Sequence, residues 1–159
     1  MEKDKLIIEH VYTVAIPCQQ AFDFFIKQFT KWWPKDYTWS GDSLEFIGIE
    51  PQVGGRCYER GPHGFECQFG RVILWNPPHE IRLIWQINDK GQPDPNPTHA
   101  SEISVRFVAC DGNTSDVIFQ HSAIERHGEN AKHYYEALNS DYGWTAILNC
   151  YLKFTNHSN

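Results

Sequence analysis

Apolar and polar positions alternate from residue 6 to residue 16, with Ile8, His10, Tyr12 and Val14 on one side and Ile7, Val11 and Thr13 on the other. A period of two is that of a strand, and Pro17 stops the run. The period then changes. Ala21, Phe22, Phe25 and Phe29 recur at helical spacing behind Pro17, a residue suited to the first helical turn. The pattern predicts a short amphipathic helix, then at Lys31-Trp32-Trp33-Pro34 a second helical turn and a loop through Trp39 and Gly41.

From Ser43 to Gln120 short strand-like runs are punctuated by glycine and proline: 43–50, 54–60, 65–76, 79–88, 101–110 and 114–122. Six successive runs predict a meander. Gly61-Pro62-His63-Gly64 and Asp111-Gly112-Asn113 offer the positive-φ and kinked positions of hairpin turns, and Asn76-Pro77-Pro78-His79 a third reversal. Asp89 to His99, with its three prolines, reads as a longer, mobile loop at a hairpin tip. Gly128 to Phe154 returns to helical spacing through Ala131, Tyr135, Leu138, Tyr142, Ile147, Leu148, Tyr151 and Leu152, which predicts a long final helix bent at Gly143.

The 159 residues suffice for one domain with its own core. A net charge of -6 and no basic stripe argue against nucleic acid, whose phosphates demand a basic face. The opening MEKDKLIIEHVYTVAIP is charged and alternating, unlike a signal peptide, and no window approaches a membrane-spanning length, so a cytoplasmic protein off the membrane is expected. Cys18, Cys57, Cys67, Cys110 and Cys150 are scattered and odd in number, the pattern of reduced thiols and not of a disulfide framework or zinc site. Asn113-Thr114-Ser115 and Asn156-His157-Ser158 match the glycosylation pattern without consequence in such a compartment. The composition departs from the ordinary in its rings: six Trp, seven Tyr and ten Phe, much flat apolar surface for a small domain.

Several local patterns keep a familiar order. They are Ile16-Pro17 before Ala21-Phe22 and Phe25; Trp32-Trp33-Pro34; Val53-Gly54-Gly55-Arg56; Gly70-Arg71-Val72 with Trp75-Asn76-Pro77-Pro78; Trp85; Val117 through His121; and Gly143-Trp144 with Leu148 and Leu152. In this the chain resembles the START-like (helix-grip, SRPBCC) superfamily, and within it the activator of Hsp90 ATPase homologue 1-like group. The resemblance implies an α+β helix-grip fold: a curved antiparallel sheet of about six to seven strands around a long C-terminal helix, with one or two short helices after the first strand. It further implies a pocket between sheet and helix, since most single-domain members look like small-molecule binders.

Alternation supplies candidate walls for that pocket. Val117, Phe119 and His121 share one strand face, as do Ile103, Val105 and Phe107, and Leu83, Trp85 and Ile87; Trp39, Phe46, Tyr58, Trp144, Leu148 and Tyr151 are expected opposite. An aromatic, largely dry cavity suits a small apolar or aromatic ligand held without catalysis. Two other functions fit the same chain. One is a protein-interaction module related to the chaperone activator. The other is an enzyme of the cyclase, dehydratase or hydrolase kind found among distant relatives, with His121 or a buried Glu as acid or base. Glu59 and Glu66, flanking a tight turn, are candidates for a facing carboxylate pair, although nearby Arg56, Arg60 and Arg71 favour ion pairs. His121, His127 and His133 are six apart and form no metal motif; nor is there a phosphate loop or a G-x-S-x-G elbow. No cofactor is expected. Pairing of an exposed strand edge would make a homodimer.

Overall fold

The computed structural model describes residues 5–157; the first four residues of the N-terminal segment and Ser158 of the second glycosylation pattern lie outside them. The strands are β1 (Ile8–Val14), β2 (Phe46–Ile49), β3 (Arg56–Arg60), β4 (Glu66–Asn76), β5 (Glu80–Trp85), β6 (Ser101–Ala109) and β7 (Ser115–Ser122). They form one antiparallel sheet in the order β1-β7-β6-β5-β4-β3-β2, the expected meander with β1 returned beside the last strand. The helices are α1 (Cys18–Lys27), α2 (Phe29–Trp32), α3 (Ala131–Leu138) and α4 (Trp144–His157).

Alternation decides which face is covered. In β7 every second residue is buried, and the register sets Val117 opposite Phe107, Phe119 opposite Val105 and His121 opposite Ile103, so the three inner faces merge. Leu83 opposite Ile103 extends that face to β5. Helix α4 meets it with one stripe, Trp144, Ile147, Leu148 and Tyr151, while α1 contributes Ala21, Phe22, Phe25 and Ile26. The Tyr151 hydroxyl donates to the Ala21 carbonyl (2.7 Å), which joins the two helices inside the core. Thr30 protects the far sheet edge: its hydroxyl donates to the Ile47 carbonyl (2.6 Å) and accepts from the Ile47 N–H (3.2 Å).

Four expectations change in detail. The final helix is two helices, because residues 139–142 leave the helical path and Gly143 N–H donates to Ser140 O before α4 starts. The 61–64 turn uses positive φ at His63 and Gly64, but at 111–113 the Asp111 carboxylate makes the turn instead, accepting from the N–H groups of Asn113 and Thr114. The Asp89 to His99 loop is tied down. Asn88 accepts from Lys90 and Gln92, Asp94 N–H donates to Gln86 O, and the Trp39 indole donates to Gly91 O. Glu59 and Glu66 do not face each other, since Glu59 pairs with Cys67 and Glu66 with Arg60 on the opposite face.

Gly143 is needed for close approach. A Cβ there would overlap the Leu138 carbonyl, which is backbone and cannot swing away. Gly143→Ala is expected to destabilise the fold by about 1–3 kcal/mol, as overpacking does, visible as a lower urea midpoint at unchanged m-value.

Candidate functional site

Where the inner sheet face meets α4, the space is walled by rings. Trp144, at the start of α4, has its ring centre 4.6 Å from Phe119, 5.2 Å from Trp85 and 6.1 Å from Trp33. Leu148, Phe69 and Leu83 complete the wall. The free volume between them is about 30 Å³, room for a single water and far below the several hundred Å³ of a typical ligand site.

Of the residues expected to form the pocket, Trp85, Phe119, Trp144 and Leu148 do line this space. Phe107 and Tyr151 are buried behind it among Phe22, Phe25 and Trp32. Phe46 and Tyr58 do not face it. The register pairs Phe46 with Arg60 and Gly48 with Tyr58, which puts both rings on the face opposite buried Cys57 and Glu59, where Arg56 lies over Tyr58 at 4.3 Å. A bulge at Cys57/Tyr58 and strand ends too short to show their alternation hid this from pattern reading. Trp39 stands at the surface, 38% exposed, in a cleft of about 280 Å³ shared with Tyr37, Ile87 and Gly91. Its ring leans on Phe69 (6.5 Å), which in turn meets Trp85 (6.0 Å), so an unbroken row of rings leads from the cleft to the interior.

Two polar features lie behind this apolar wall; His121, expected to line the pocket, stands behind Trp85 and Trp144 and does not reach the space itself. Glu59, fully buried, accepts from the backbone N–H groups of Trp39 (3.1 Å) and Ser40 (2.7 Å) and so holds the cleft segment in place. The second feature is a string of side chains. The Trp144 indole donates to His121 Nδ1 (2.9 Å), His121 Nε2 lies 2.6 Å from Ser101 Oγ, and Ser101 Oγ lies 2.8 Å from His127 Nε2. An indole N–H can only donate, so Nδ1 of His121 must accept and Nε2 must carry the proton. Ser101 therefore accepts from His121, and since its hydroxyl has no other acceptor among the described residues, it donates to His127 Nε2. The His127 proton is left on Nδ1, which is buried and without a partner. Beside the string, the Trp85 indole donates to the Tyr134 hydroxyl (2.8 Å), which donates to Ile87 O (2.7 Å).

Ser101 and His127 were missed in the sequence. Ser101 was findable, being the odd polar member of the Ser101, Ile103, Val105, Phe107 face; His127 sits in the one-turn 3-10 segment Ile124–His127, which has no periodicity to read. Among the described residues no group of three or more His, Cys, Asp or Glu is placed to hold a metal ion, and no helix is long and apolar enough to cross a membrane.

Burial lowers both imidazoles, His121 to about 3 and His127 to about 4, the latter partly restored by the carboxylates of Asp94 and Asp89. Folding thus excludes protons that the unfolded chain would take up below its ordinary value of 6.5. Their contribution is whole above that pH and is lost as the pH falls from 6.5 towards 4 and then 3. On the order of 4 kcal/mol from His121 is at stake. Urea midpoints measured across this range should fall steadily, and His121→Phe should flatten the slope.

The chain matches the family described as activator of Hsp90 ATPase homolog 1-like protein over residues 15–151. No curated protein matches it. Among solved structures it is similar to the anthrahydroquino-γ-pyrone synthase Txn09, at 29% identity and TM-score 0.65 over 92% of this chain and 95% of that one. It is also similar to CalC from Micromonospora echinospora, a self-sacrificing resistance protein, at 27% identity and TM-score 0.69 over 96% of both chains. A Staphylococcus aureus protein of unknown function, SA2116, shares the fold at 15% identity and TM-score 0.65, over 98% of this chain and 96% of that one. With the curled seven-stranded sheet, the closing helix and a match across most of its length, this chain belongs to the activator of Hsp90 ATPase homolog 1-like family.

Proposed function

We propose that this protein binds a flat aromatic molecule between the inner sheet face and α4, reached through the Trp39 cleft. The observation that carries this reading is the polar string set into an aromatic wall. The His121 imidazole and the Ser101 hydroxyl are taken out of water there, and half-buried His127 joins them, which costs free energy that an apolar filling would avoid. The row of rings from Trp39 through Phe69 to Trp85 supports a route for a planar guest. A relative at 29% identity carries the name of an anthrahydroquino-γ-pyrone synthase, which fits a fused-ring guest.

The interior has the volume of one water, so a guest needs the rings to move. Trp39 and Trp144 stand where that movement would start, one held by Gly91 O and the other by His121. A groove of about 460 Å³ beneath α1, lined by Phe22, Ile26, Phe46 and Trp75, has room without rearrangement but presents no buried polar string. The two sites have different tryptophans. Titration with 1,8-dihydroxyanthraquinone, followed by the indole N–H signals in a ¹H–¹⁵N spectrum, is expected to shift Trp85 and Trp144 saturably and leave Trp75 in place. A shift confined to Trp75 would move the site to the groove, and no shift at all would remove the binding function.

A further inference from the structure

The string Trp144–His121–Ser101–His127 has one order of protons in which the Ser101 hydroxyl finds an acceptor, and its two ends differ in kind. The inner end is His121 Nδ1, capped by the indole N–H of a residue that lines the interior space. The outer end is the unpartnered N–H of His127, whose surroundings are the carboxylates of Asp94 and Asp89, the imidazole of His99 and the ring of Tyr134. A guest too large for 30 Å³ must displace rings, and displacing Trp144 also uncaps His121. Making room at Trp144 and exposing an acceptor nitrogen are one movement.

We propose that this string is a proton relay, with His121 the general base towards a bound, acidic aromatic guest and Ser101 and His127 positioning and discharging it. The proposal rests on the binding reading above. The step balances without a co-reactant. The guest's O–H or C–H bond breaks and its proton goes to His121 Nδ1; the proton on His121 Nε2 passes to Ser101 Oγ; the Ser101 hydroxyl proton passes to His127 Nε2. The products are an anionic guest, His121 neutral in its other tautomer, and an imidazolium at His127 beside the Asp94 and Asp89 carboxylates. The charge thus ends at the partly exposed end of the string, where the Asp94 and Asp89 carboxylates offset part of the cost of burial that His121, deeper in the interior, meets in full.

The order of protons is itself measurable. Long-range ¹H–¹⁵N correlation on the ¹⁵N-histidine protein at pH 7 is expected to show His121 as the Nε2–H tautomer and His127 as the Nδ1–H tautomer. The reverse assignment at either residue overturns the relay. For the chemistry, the probe is 5-nitrobenzisoxazole, a flat carbon acid whose C–H proton a base removes as its N–O bond breaks, releasing a coloured cyanophenolate. Wild type is expected to accelerate this by roughly 10²- to 10⁴-fold over buffer, the range of a positioned general base. His121→Phe should abolish the acceleration. Ser101→Ala and His127→Phe should each lower kcat about tenfold with KM within twofold, a split that loss of fold would not produce. The same samples are read for indole shifts. Shifts at Trp85 and Trp144 without acceleration overturn the relay and leave the binding reading intact; probe and anthraquinone both failing to shift them overturns the binding reading, and the relay with it.

Discussion

A tryptophan N–H donates and never accepts, and in this fold the Trp144 indole spends that one proton on a fully buried histidine. Much else follows from the contact. It fixes the His121 tautomer and so makes Ser101 an acceptor from His121, which leaves the Ser101 hydroxyl proton for His127. It seats the first residue of α4 against β7 and β5, so that the rings of Trp33, Trp85 and Phe119 can close around it. Helix α4 begins there because Gly143 passes against the Leu138 carbonyl, an approach that any side chain would forbid.

Burying these polar groups has to be weighed against alternatives the sequence could have used. A leucine at position 121 would fill the same face, as Ile103 and Val105 do, and would carry no proton sensitivity. Glu59 raises the same issue at the cleft. A buried carboxylate with two backbone donors stays satisfied only while Trp39 and Ser40 keep their place, so the cleft segment and the core are coupled through one side chain. Both devices stand where the row of rings runs, at its mouth and at its inner end.

The meander after the first helices, the helix after Pro17 and the inner faces of β5, β6 and β7 were legible from alternation, because those strands are half-covered, whereas the place of β1 beside β7 was not. So was the family, from short patterns in a fixed order. What escaped reading was the interior of the site. Phe46 and Tyr58 were expected inside because they are aromatic, yet β2 and β3 are short, bulged and near the sheet edge, where arginines stack on rings from outside. His127 escaped because a single 3-10 turn carries no period, and only the fold brings it to Ser101, 26 residues earlier. The volume escaped too: a high count of rings is equally consistent with lining a cavity and with filling one.

That last ambiguity has a physical resolution. The rings here fill the space, yet they do so through edge and tilted contacts between large flat groups, each worth about a kcal/mol beyond its buried area. A planar guest can offer the same kind of contact to the rings it displaces, so exchange costs less than opening an aliphatic core of equal density would. The one contact a guest cannot replace with carbon is the indole proton on His121 Nδ1. A hydrocarbon entering here would leave that nitrogen buried and unpaired, at a cost of about 1–3 kcal/mol, whereas a guest with a hydroxyl or an acidic proton would satisfy it. The site therefore discriminates by proton as well as by shape, and the same atom that selects such a guest is the one positioned to take its proton.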